Sequence, residues 1–379
     1  MTLALTEEQA MLGDAAREFF NEKLPVKAFR QLRDSNDSTG FDRTAWLAMA
    51  DLGWAGVLIP EAHGGSGFGY QGLGQLLEAA GRTLAATPLV STVLLGAPLV
   101  QIAGSAAQQA AVLPGVARGE TLLALALEEG PRHAPTQVGL QATRVGADWQ
   151  LHGAKRFVLD GHVADQIVVV ARTSGAAGDP NGLTLFLVQA DSPGLTRHRL
   201  QMVDSRNAAR LEFNQVRVSA AQVLGEVDRG FAVLDAVLDG ARAGLAAEML
   251  GSMQEAFDRT LAYLRMRVQF GVPIGSFQAL KHRAAEMFCE LELTRSAVRA
   301  ALDAQDVVTP DRAALASLAK AKACDTFERV SSEAVQMHGG IGMTDAEEIG
   351  LFLKRARVAQ QTLGDACFHR ERYARLRGF

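Results

Sequence analysis

The hydrophobic periodicity of this 379-residue chain changes twice, and this order limits its possible folds more than any other feature. In residues 1–120 the spacing is helical: Thr6 and Gln9 have the spacing of a capping box, and an apolar face follows them. Residues 121–229 contain short β-strand runs, and helical spacing returns over residues 230–379. The pattern predicts an α+β protein with an N-terminal helical domain (1–120), a middle β-domain (121–229) and a C-terminal helical domain (230–379).

The middle segment contains runs rich in β-forming residues, most of them bounded by Gly, Asp, Asn or Pro. The runs are TLLALALEE, DWQLHG, KRFVLDG, DQIVVVART, GLTLFLVQA and ARLEFNQVRV. No helical pattern alternates with them, whereas a doubly wound nucleotide-binding fold needs a crossover helix after each strand. The segment therefore predicts an antiparallel β-domain.

Charge and aromatic content argue against a nucleic-acid partner: the formal net charge is −4, and Tyr and Trp number three each. The cysteines, Cys289, Cys324 and Cys367, lie far apart, which favours a reducing compartment over a disulfide framework. The N-terminus lacks the basic and apolar regions of an export signal, and no window approaches about eighteen uninterrupted apolar residues. The sequence therefore predicts a cytoplasmic protein that neither enters nor crosses a membrane.

Some residues that suggest a ligand have simpler interpretations. The glycines at 64, 65, 67 and 69 predict a turn, because neither a lysine nor a GxGxxG register marks a phosphate loop there. His338 is interpreted as a packing or loop residue, and His282 beside Arg283 as part of a solvated helix face. No His, Cys and Asp grouping has metal-ligand spacing, so no metal site is predicted.

The segment RVQFGVPIGSFQ, residues 267–278, interrupts the C-terminal helical pattern. Apolar residues from Ala246 to Leu264 recur at intervals of three or four and predict one long helix that runs up to this segment. Glycine and proline disfavour a helix interior by about 1 and about 3 kcal/mol relative to alanine. The break therefore requires a cause.

Two motifs suggest a reason for this break, because together they resemble motifs of the acyl-CoA dehydrogenase family. They are Arg267-x-Gln269-Phe270-Gly271-x-Pro273-Ile274-x-x-Phe277-Gln278 and Gln336-Met-His-Gly339-Gly340-x-Gly342. VLGEVDRGF (223–231) and LHGAKRFVLDG (151–161) resemble further family segments, and the segment order agrees over nearly the whole chain. The resemblance implies the acyl-CoA dehydrogenase fold, in which the C-terminal domain is a four-helix bundle.

The resemblance also implies FAD as the cofactor. Arg267 and Phe270 correspond to residues that reach the pyrophosphate and adenine of FAD in a neighbouring subunit, and an arginine fork suits a diphosphate. Gln336, Gly339 and Gly340 resemble the loop that closes over the dinucleotide, where missing side chains allow close approach. Alternative interpretations are a helix C-cap for the glycines and a surface ion pair for Arg267. The residues assigned to FAD by the resemblance are Arg267, Gln269, Phe270, Phe277, Gln278, Gln336, Gly339, Gly340 and Phe157.

The catalytic part of the family pattern is incomplete. The family base is a glutamate before Gly-Thr, where this chain has Leu363, or on the long helix just before Arg242, where it has Ala241. Neither residue can accept a proton. Asp239 and Arg242 resemble the family's contacts near the substrate, whereas Phe157 replaces the hairpin tryptophan. The other departures are Leu159 and Asp160 in the hairpin, Asp365 in place of the threonine, and EEGPRHAP at 128–135.

The leading hypothesis is a subunit without its own base. The chain resembles the small subunits of heterotetrameric acyl-CoA dehydrogenases that degrade steroid side chains or dicarboxylic acyl-CoAs, and it is expected to complete the FAD site of a base-bearing sister chain. The resemblance implies an acyl-CoA substrate from fatty acid or steroid side-chain degradation, a tetramer of identical or different subunits, and electron-transfer flavoprotein as the acceptor.

Two alternatives stay open. One is an active dehydrogenase in which Asp365 or Asp239 is the base, with a pKa raised by an apolar pocket. The other is a non-catalytic scaffold of the same fold. A further interpretation of Asp239 is a negative charge near a helix N-terminus, where the helix dipole makes it favourable.

Overall fold

A computed structural model of the protein describes residues 4–379. The predicted capping box is confirmed, since the Thr6 hydroxyl accepts the Gln9 N–H and the Gln9 side chain accepts the Thr6 N–H. A π-helical segment spans Leu89–Gly96. The α-helices are α1 (Glu7–Lys23), α2 (Val26–Asp34), α3 (Arg43–Asp51), α4 (Gly69–Arg82), α5 (Ala97–Ala103), α6 (Ala106–Ala117), α7 (Gly230–Met266), α8 (Gln278–Asp306), α9 (Arg312–His338), α10 (Ile349–Gln361) and α11 (Ala366–Arg377).

The β-strands are β1 (Leu123–Ala126), β2 (Gln141–Val145), β3 (Asp148–Leu159), β4 (Gln166–Arg172), β5 (Leu183–Gln189), β6 (Leu195–Gln201), β7 (Asn207–Val218), β8 (Val223–Leu224), β9 (Val268–Gln269) and β10 (Val272–Pro273). One sheet has the order β6-β7-β3-β2-β4-β5-β8, and β1 pairs with β4. The predicted β-domain is confirmed, with parallel pairing in the contacts of β4 with β1 and β2 and in an isolated bridge between Leu183 and Arg229. The runs DWQLHG and KRFVLDG, predicted separately, form the single strand β3.

The described chain divides into two compact units. The sheet unit contains residues 36–69 and 86–241, and it carries the sheet. The helical unit contains residues 4–35, 70–85 and 242–379, and it is helical apart from the hairpin β9–β10. The predicted domain limits at residues 120 and 229 stay a prediction.

The core of the sheet unit is built from the buried faces of its strands. Strand β4 is buried along almost its whole length, which explains its continuous apolar run. Trp149 and Phe186 meet edge to face with ring centroids 5.8 Å apart, and both belong to the same buried cluster as Phe213. Aromatic and branched side chains on a pleated surface explain why the strand pattern was visible in the sequence.

The helical unit is held together by close helix packing. A β-carbon at Gly81 in α4 would lie 2.1 Å from the carbonyl oxygen of Glu248, and one at Gly251 in α7 would lie 1.8 Å from that of Glu78. The two helices therefore approach each other through glycines. Helix α9 packs against α8, α10 and α11, as a helical bundle requires. Within residues 4–379, no helix is both long and apolar enough to cross a membrane.

The glycine cluster after α3 forms the turn that the sequence predicts. Gly64, Gly67 and Gly69 all have positive φ, which glycine adopts without steric cost. A β-carbon at Gly65 would lie 2.0 Å from the carbonyl oxygen of Ile59. Positive φ therefore accounts for three of these glycines, and close backbone packing accounts for Gly65.

Candidate functional site

The break at residues 267–278 is a β-hairpin that follows α7 directly. Strands β9 and β10 pair antiparallel, and Phe270 and Gly271 form the two-residue turn between them. Both residues have positive φ, +54° and +79°, as a type I′ turn requires. Gly271 adopts this conformation readily, whereas it is unfavourable for a bulky residue such as Phe270. Phe270 and Gly271 thus reverse the chain after α7, whereas Pro273 lies in β10.

The hairpin exposes most of the side chains that the sequence assigned to FAD. Phe270 is 91% exposed, and Arg267, Gln269 and Gln278 are exposed as well. Phe277 is partly exposed and contacts Phe270. Within residues 4–379 the guanidinium of Arg267 forms no ion pair, so the described chain does not support the surface ion-pair interpretation.

A pocket of about 660 Å³ lies beside the start of this hairpin. Two of its lining residues, Tyr263 and His338, stack with ring centroids 4.4 Å apart. His338 is buried, and its Nδ1 lies 2.7 Å from the carbonyl oxygen of Ala334 and donates to it. This agrees with the interpretation of His338 as a packing residue. The pocket is lined by Tyr263, Met266, Arg267, Val268, His338, Gly340 and Ile341.

Gly339 and Gly340 border open space at the end of α9. A β-carbon on either glycine would meet no atom within 4 Å. Gly339 is also the C-cap of α9, with φ +65° and ψ −146°, a conformation that is essentially restricted to glycine. The C-cap interpretation of Gly339 is therefore confirmed as a backbone requirement, and the open space beside both glycines leaves room for a ligand.

The pocket residues fit the diphosphate of a dinucleotide. The exposed guanidinium of Arg267 has the planar fork that binds phosphate oxygens, and the bare backbone at Gly340 admits close approach. Gln336 is exposed on the last turn of α9, and Gln278 begins α8. Phe157, which the resemblance also assigns to FAD, belongs to the sheet unit instead. Asp239, which the resemblance places near the substrate, belongs to the sheet unit as well.

The loop between α10 and α11 contains Leu363, the first position that the resemblance assigns to the family base. Leu363 is 7% exposed and has φ +60°, an unfavourable conformation for leucine. Asp365 is the N-cap of α11, and its Oδ1 accepts the backbone N–H of Phe368 at 2.8 Å. Its carboxylate is thus already used as a helix cap. Ala241, at the second base position, is fully buried in α7.

Two charged residues of α7 are buried although neither is at a helix end. Asp239 is 3% exposed and lies well beyond the first turn of α7, which begins at Gly230, so the helix N-terminus interpretation is wrong. Arg242 is fully buried, and its guanidinium carbon lies 5.7 Å from the ring centroid of Phe368. This distance is within the range of a cation–π contact.

In the sheet unit, the segment at the end of β3 is bulged. Pairing with β7 shifts register between Lys155 and Val158, and Phe157 within the bulge has φ +52° and is 41% exposed. Bulges re-aim side chains and are common beside functional sites. The bulge thus leaves Phe157 pointing away from the core, where a ligand can reach it.

Asp160 follows this bulge and is buried. Its carboxylate accepts the Ser91 hydroxyl at 2.6 Å and the Asn207 side-chain amide at 3.0 Å. Burial raises the pKa of Asp160, although both hydrogen bonds and nearby arginines oppose the rise. The residue thus joins the π-helical segment, which carries Ser91, to β7.

The segment EEGPRHAP is held by a buried lysine. Lys155 is fully buried, and its ammonium donates to Glu129 at 2.7 Å and to the carbonyl oxygen of Leu127 at 3.0 Å. Burial lowers the pKa of Lys155 to about 8, against the opposing effect of Glu129. Glu128 contacts His133. The sequence did not reveal these contacts, because Lys155 has the position of an ordinary lysine in a β-strand.

Two further residues that the sequence did not reveal contact the loop at 362–365. They are Lys320 in α9 and His369 in α11, which hydrogen-bond the carbonyl oxygens of Gly364 and Leu363. Both are fully buried. The one available signal was a charged residue on the apolar face of α9. No group of three or more His, Cys, Asp or Glu side chains suited to a metal ion occurs in residues 4–379.

Comparison with known proteins gives a consistent result. The chain matches the models of the acyl-CoA dehydrogenase N-terminal domain over residues 6–120, middle domain over residues 129–216 and C-terminal domain over residues 228–376. It is 30% identical over 368 residues to the probable acyl-CoA dehydrogenase YngJ of Bacillus subtilis, with 95% of each chain covered.

Two solved structures share the fold over the full length. The Tcur3481-Tcur3483 steroid ACAD superposes with a TM-score of 0.88 at 33% identity, covering 100% of this chain and 99% of that chain. The ChsE4-ChsE5 complex from Mycobacterium tuberculosis superposes with a TM-score of 0.89 at 28% identity, with the same coverage. The predicted fold is thereby confirmed.

Proposed function

Since the chain belongs to the acyl-CoA dehydrogenase family, whose members are oxidoreductases acting on CH–CH bonds, we propose that it is an FAD-dependent subunit without its own catalytic base. One observation carries the proposal: the two residues that the resemblance assigns to the base positions, Leu363 and Ala241, are buried and cannot ionise. A missing general base lowers a rate by about 10²–10⁴-fold. The chain therefore depends on a carboxylate from a sister subunit.

The cofactor-binding part of the proposal concerns the hairpin and the glycine turn. FAD, when bound, supplies the acceptor for the hydride that leaves the β-carbon of the substrate. Arg267 binds the diphosphate through its guanidinium fork, and Gly339 and Gly340 let the backbone approach it. Phe270, being almost fully exposed, contacts a cofactor held by the neighbouring subunit.

The substrate is an acyl-CoA thioester from fatty acid or steroid side-chain degradation, and electron-transfer flavoprotein is the acceptor. The similarity to the Tcur3481-Tcur3483 steroid ACAD supports the steroid class. The similarity to the ChsE4-ChsE5 complex supports assembly with a different subunit. Asp239 and Arg242, both buried in α7, are the proposed contacts near the substrate. An aspartate base is less favoured, because Asp365 caps α11.

Co-expression tests this function. The chain is produced alone and together with a glutamate-bearing acyl-CoA dehydrogenase chain, and flavin content and oxidation of acyl-CoA thioesters are compared. We expect the pair to be yellow, with absorption near 370 and 450 nm roughly as for free flavin, and active, and the chain alone to be at least about 10²-fold slower. A chain that oxidises a thioester alone at the rate of the pair contradicts the proposal, and a colourless pair supports the scaffold alternative.

A further inference from the structure

The loop at 362–365 has positive φ at two successive residues, a conformation that is unfavourable for Leu363 and readily adopted by Gly364. Leu363 has φ +60° and Gly364 has φ +107°. A left-handed conformation disfavours a residue with a β-carbon by about 1–2 kcal/mol, so neighbouring groups must hold Leu363 in place. At Gly364 a side chain is excluded, because a β-carbon there would lie 2.6 Å from the Phe368 ring and 2.8 Å from His369 Nε2.

Lys320, in α9, binds one end of this loop. Its ammonium donates to the carbonyl oxygens of Gly364 at 2.9 Å, Ala359 at 3.0 Å and Gln360 at 3.4 Å, and lies 3.2 Å from the sulfur of Cys324. The Ala359 and Gln360 carbonyls belong to the last turn of α10, where the helix leaves its acceptors without partners. A cation at this end also complements the helix dipole. Lys320 thus ties the end of α10 to the loop.

His369, in α11, also binds this loop. Its Nε2 lies 3.0 Å from the carbonyl oxygen of Leu363, and since a carbonyl can only accept, Nε2 carries the proton. Its Nδ1 lies 3.4 Å from the Ser317 hydroxyl, at the limit of a hydrogen bond. The ring is fully buried, so water does not compete for the carbonyl. Successive carbonyls of the loop are therefore bound by two side chains from different helices, α9 and α11.

We propose that Lys320 and His369 are positioning residues that keep the side chain at position 363 in one fixed orientation, so that the loop is a preformed mount, a rigid backbone suited to hold a carboxylate at this position, where this chain has leucine. This inference rests on the proposed function, because it assigns the loop to the base position of the family. It concerns the mount itself, and the cofactor plays no part in holding it. A proton-transferring group needs this rigidity, because a displacement of about 1 Å can lower a rate about 10²-fold.

The test uses amide hydrogen exchange of the peptide that covers residues 361–367, in the full chain. Lys320→Met removes the ammonium but keeps an apolar stem, and His369→Ala removes the second anchor. We expect exchange in this peptide to become at least about tenfold faster in both variants, with other peptides of the helical unit unchanged. His369→Gln, which keeps a donor near the position of Nε2, should restore slow exchange.

Lys322→Met is the matched control, because Lys322 lies on the same helix but pairs with Glu290 on a half-exposed face. Its exchange at 361–367 should equal that of wild type. Unchanged exchange in Lys320→Met and His369→Ala would overturn the proposal, as would a uniform increase over the whole helical unit, which indicates general destabilisation only. If Lys320→Met does not fold, the His369 pair of variants decides.

A second readout separates positioning from stability. In a Leu363→Glu background assembled with FAD, Lys320→Met and His369→Ala should lower kcat at least about tenfold with KM little changed, and His369→Gln should recover most of the loss. A colourless protein would contradict the proposed function. It would not affect the hydrogen-exchange test of the loop, because that measurement needs no flavin. Equal losses in kcat for His369→Ala and His369→Gln would count against positioning.

Discussion

Phe270 and Phe277 meet edge to face across the end of the hairpin β9–β10, with ring centroids 6.0 Å apart and an interplanar angle of 82°. Phe270 is nevertheless 91% exposed and has a left-handed backbone. A residue that is both strained and exposed does little to stabilise its own chain. Strain of this kind, of order 1–3 kcal/mol per residue, concentrates at functional sites. We therefore expect the hairpin to contact another molecule.

Phe270→Asn separates stability from binding. Asn-Gly is the favoured pair for a type I′ turn, so the free energy of unfolding of the isolated chain should stay the same or rise by about 1 kcal/mol. Retention of FAD by the assembled protein should fall, because the exposed ring is lost. Urea unfolding and the ratio of flavin to protein measure the two effects. A less stable chain, or full flavin retention, would be at odds with this account.

Arg267→Ala tests the diphosphate assignment. Hydrogen bonds to a charged group contribute about 1.5–3 kcal/mol, so the Kd for FAD should rise roughly 10- to 150-fold. Arg265→Ala is the control, because Arg265 is exposed in the last turn of α7 and does not line the pocket. Flavin titration of both variants measures the difference. Equal affinity in the two variants removes Arg267 from the site.

Asp160→Asn tests the buried carboxyl. Because burial raises the pKa of Asp160 above its usual 3.8, the folded state holds the proton more tightly than the unfolded state. The contribution of Asp160 to stability is thus complete below about pH 4 and is lost as pH rises through the folded pKa. Asparagine keeps both hydrogen bonds if the Ser91 hydroxyl accepts, and it tolerates the positive φ.

The free energy of unfolding of Asp160→Asn should therefore exceed that of wild type at pH 7, and the difference should shrink toward pH 4. Asp160→Ala is the control: it leaves Ser91 and Asn207 without their partner and should be about 1–3 kcal/mol less stable than wild type. Denaturant unfolding from pH 4 to pH 7 measures both variants. An advantage of Asp160→Asn that does not change with pH would refute the argument from burial.

Gly251→Ala tests the contact between α4 and α7. The added methyl would lie 1.8 Å from the carbonyl oxygen of Glu78, so the helices must separate, and overpacking of this kind lowers stability by about 1–3 kcal/mol or more. Gly350→Ala in α10 is the matched control, since its methyl would be 3.7 Å from the nearest atom. Where a helical position has room for a methyl group, replacing glycine by alanine leaves the stability unchanged or raises it by about 1 kcal/mol. Thermal unfolding that ranks the two variants equally would exclude this role for Gly251.

The order of helices and strands could be predicted because hydrophobic periodicity follows burial. Strand β4 is almost wholly buried and was visible as an apolar run. Strand β6, sequence LTRHRLQ, was missed because it is mostly exposed at the edge of the sheet and carries charged residues. The hairpin β9–β10 was read only as a break, since strands of two residues leave no periodic signal.

The residues of the candidate site divide in the same way. Leu363 was located from the spacing of a motif, which needs no structure. Lys320 and His369 were not found, because neither belongs to a recognised motif: Lys320 contacts the loop across 44 residues of chain, and His369, although near the loop in sequence, is one of several polar residues of α11. The one signal for Lys320, a charged residue on the apolar face of α9, does not reveal that its partners are carbonyl oxygens and a thiol.

The most direct test of the missing base is the rate at which the flavin-loaded chain, assembled alone, dehydrogenates acyl-CoA thioesters before and after Leu363→Glu. A panel from short fatty acyl to steroid side-chain esters covers the proposed substrates. Leu363→Gln is the matched control, since it adds a polar side chain of the same length that cannot accept the proton.

The account predicts that wild type and Leu363→Gln share a low rate, and that Leu363→Glu is faster by about 10²–10⁴-fold. Its rate should also increase with pH as the introduced carboxyl ionises. A wild-type chain that is already as fast as Leu363→Glu would show that another group removes the α-proton, and it would contradict the claim that this subunit lacks a base.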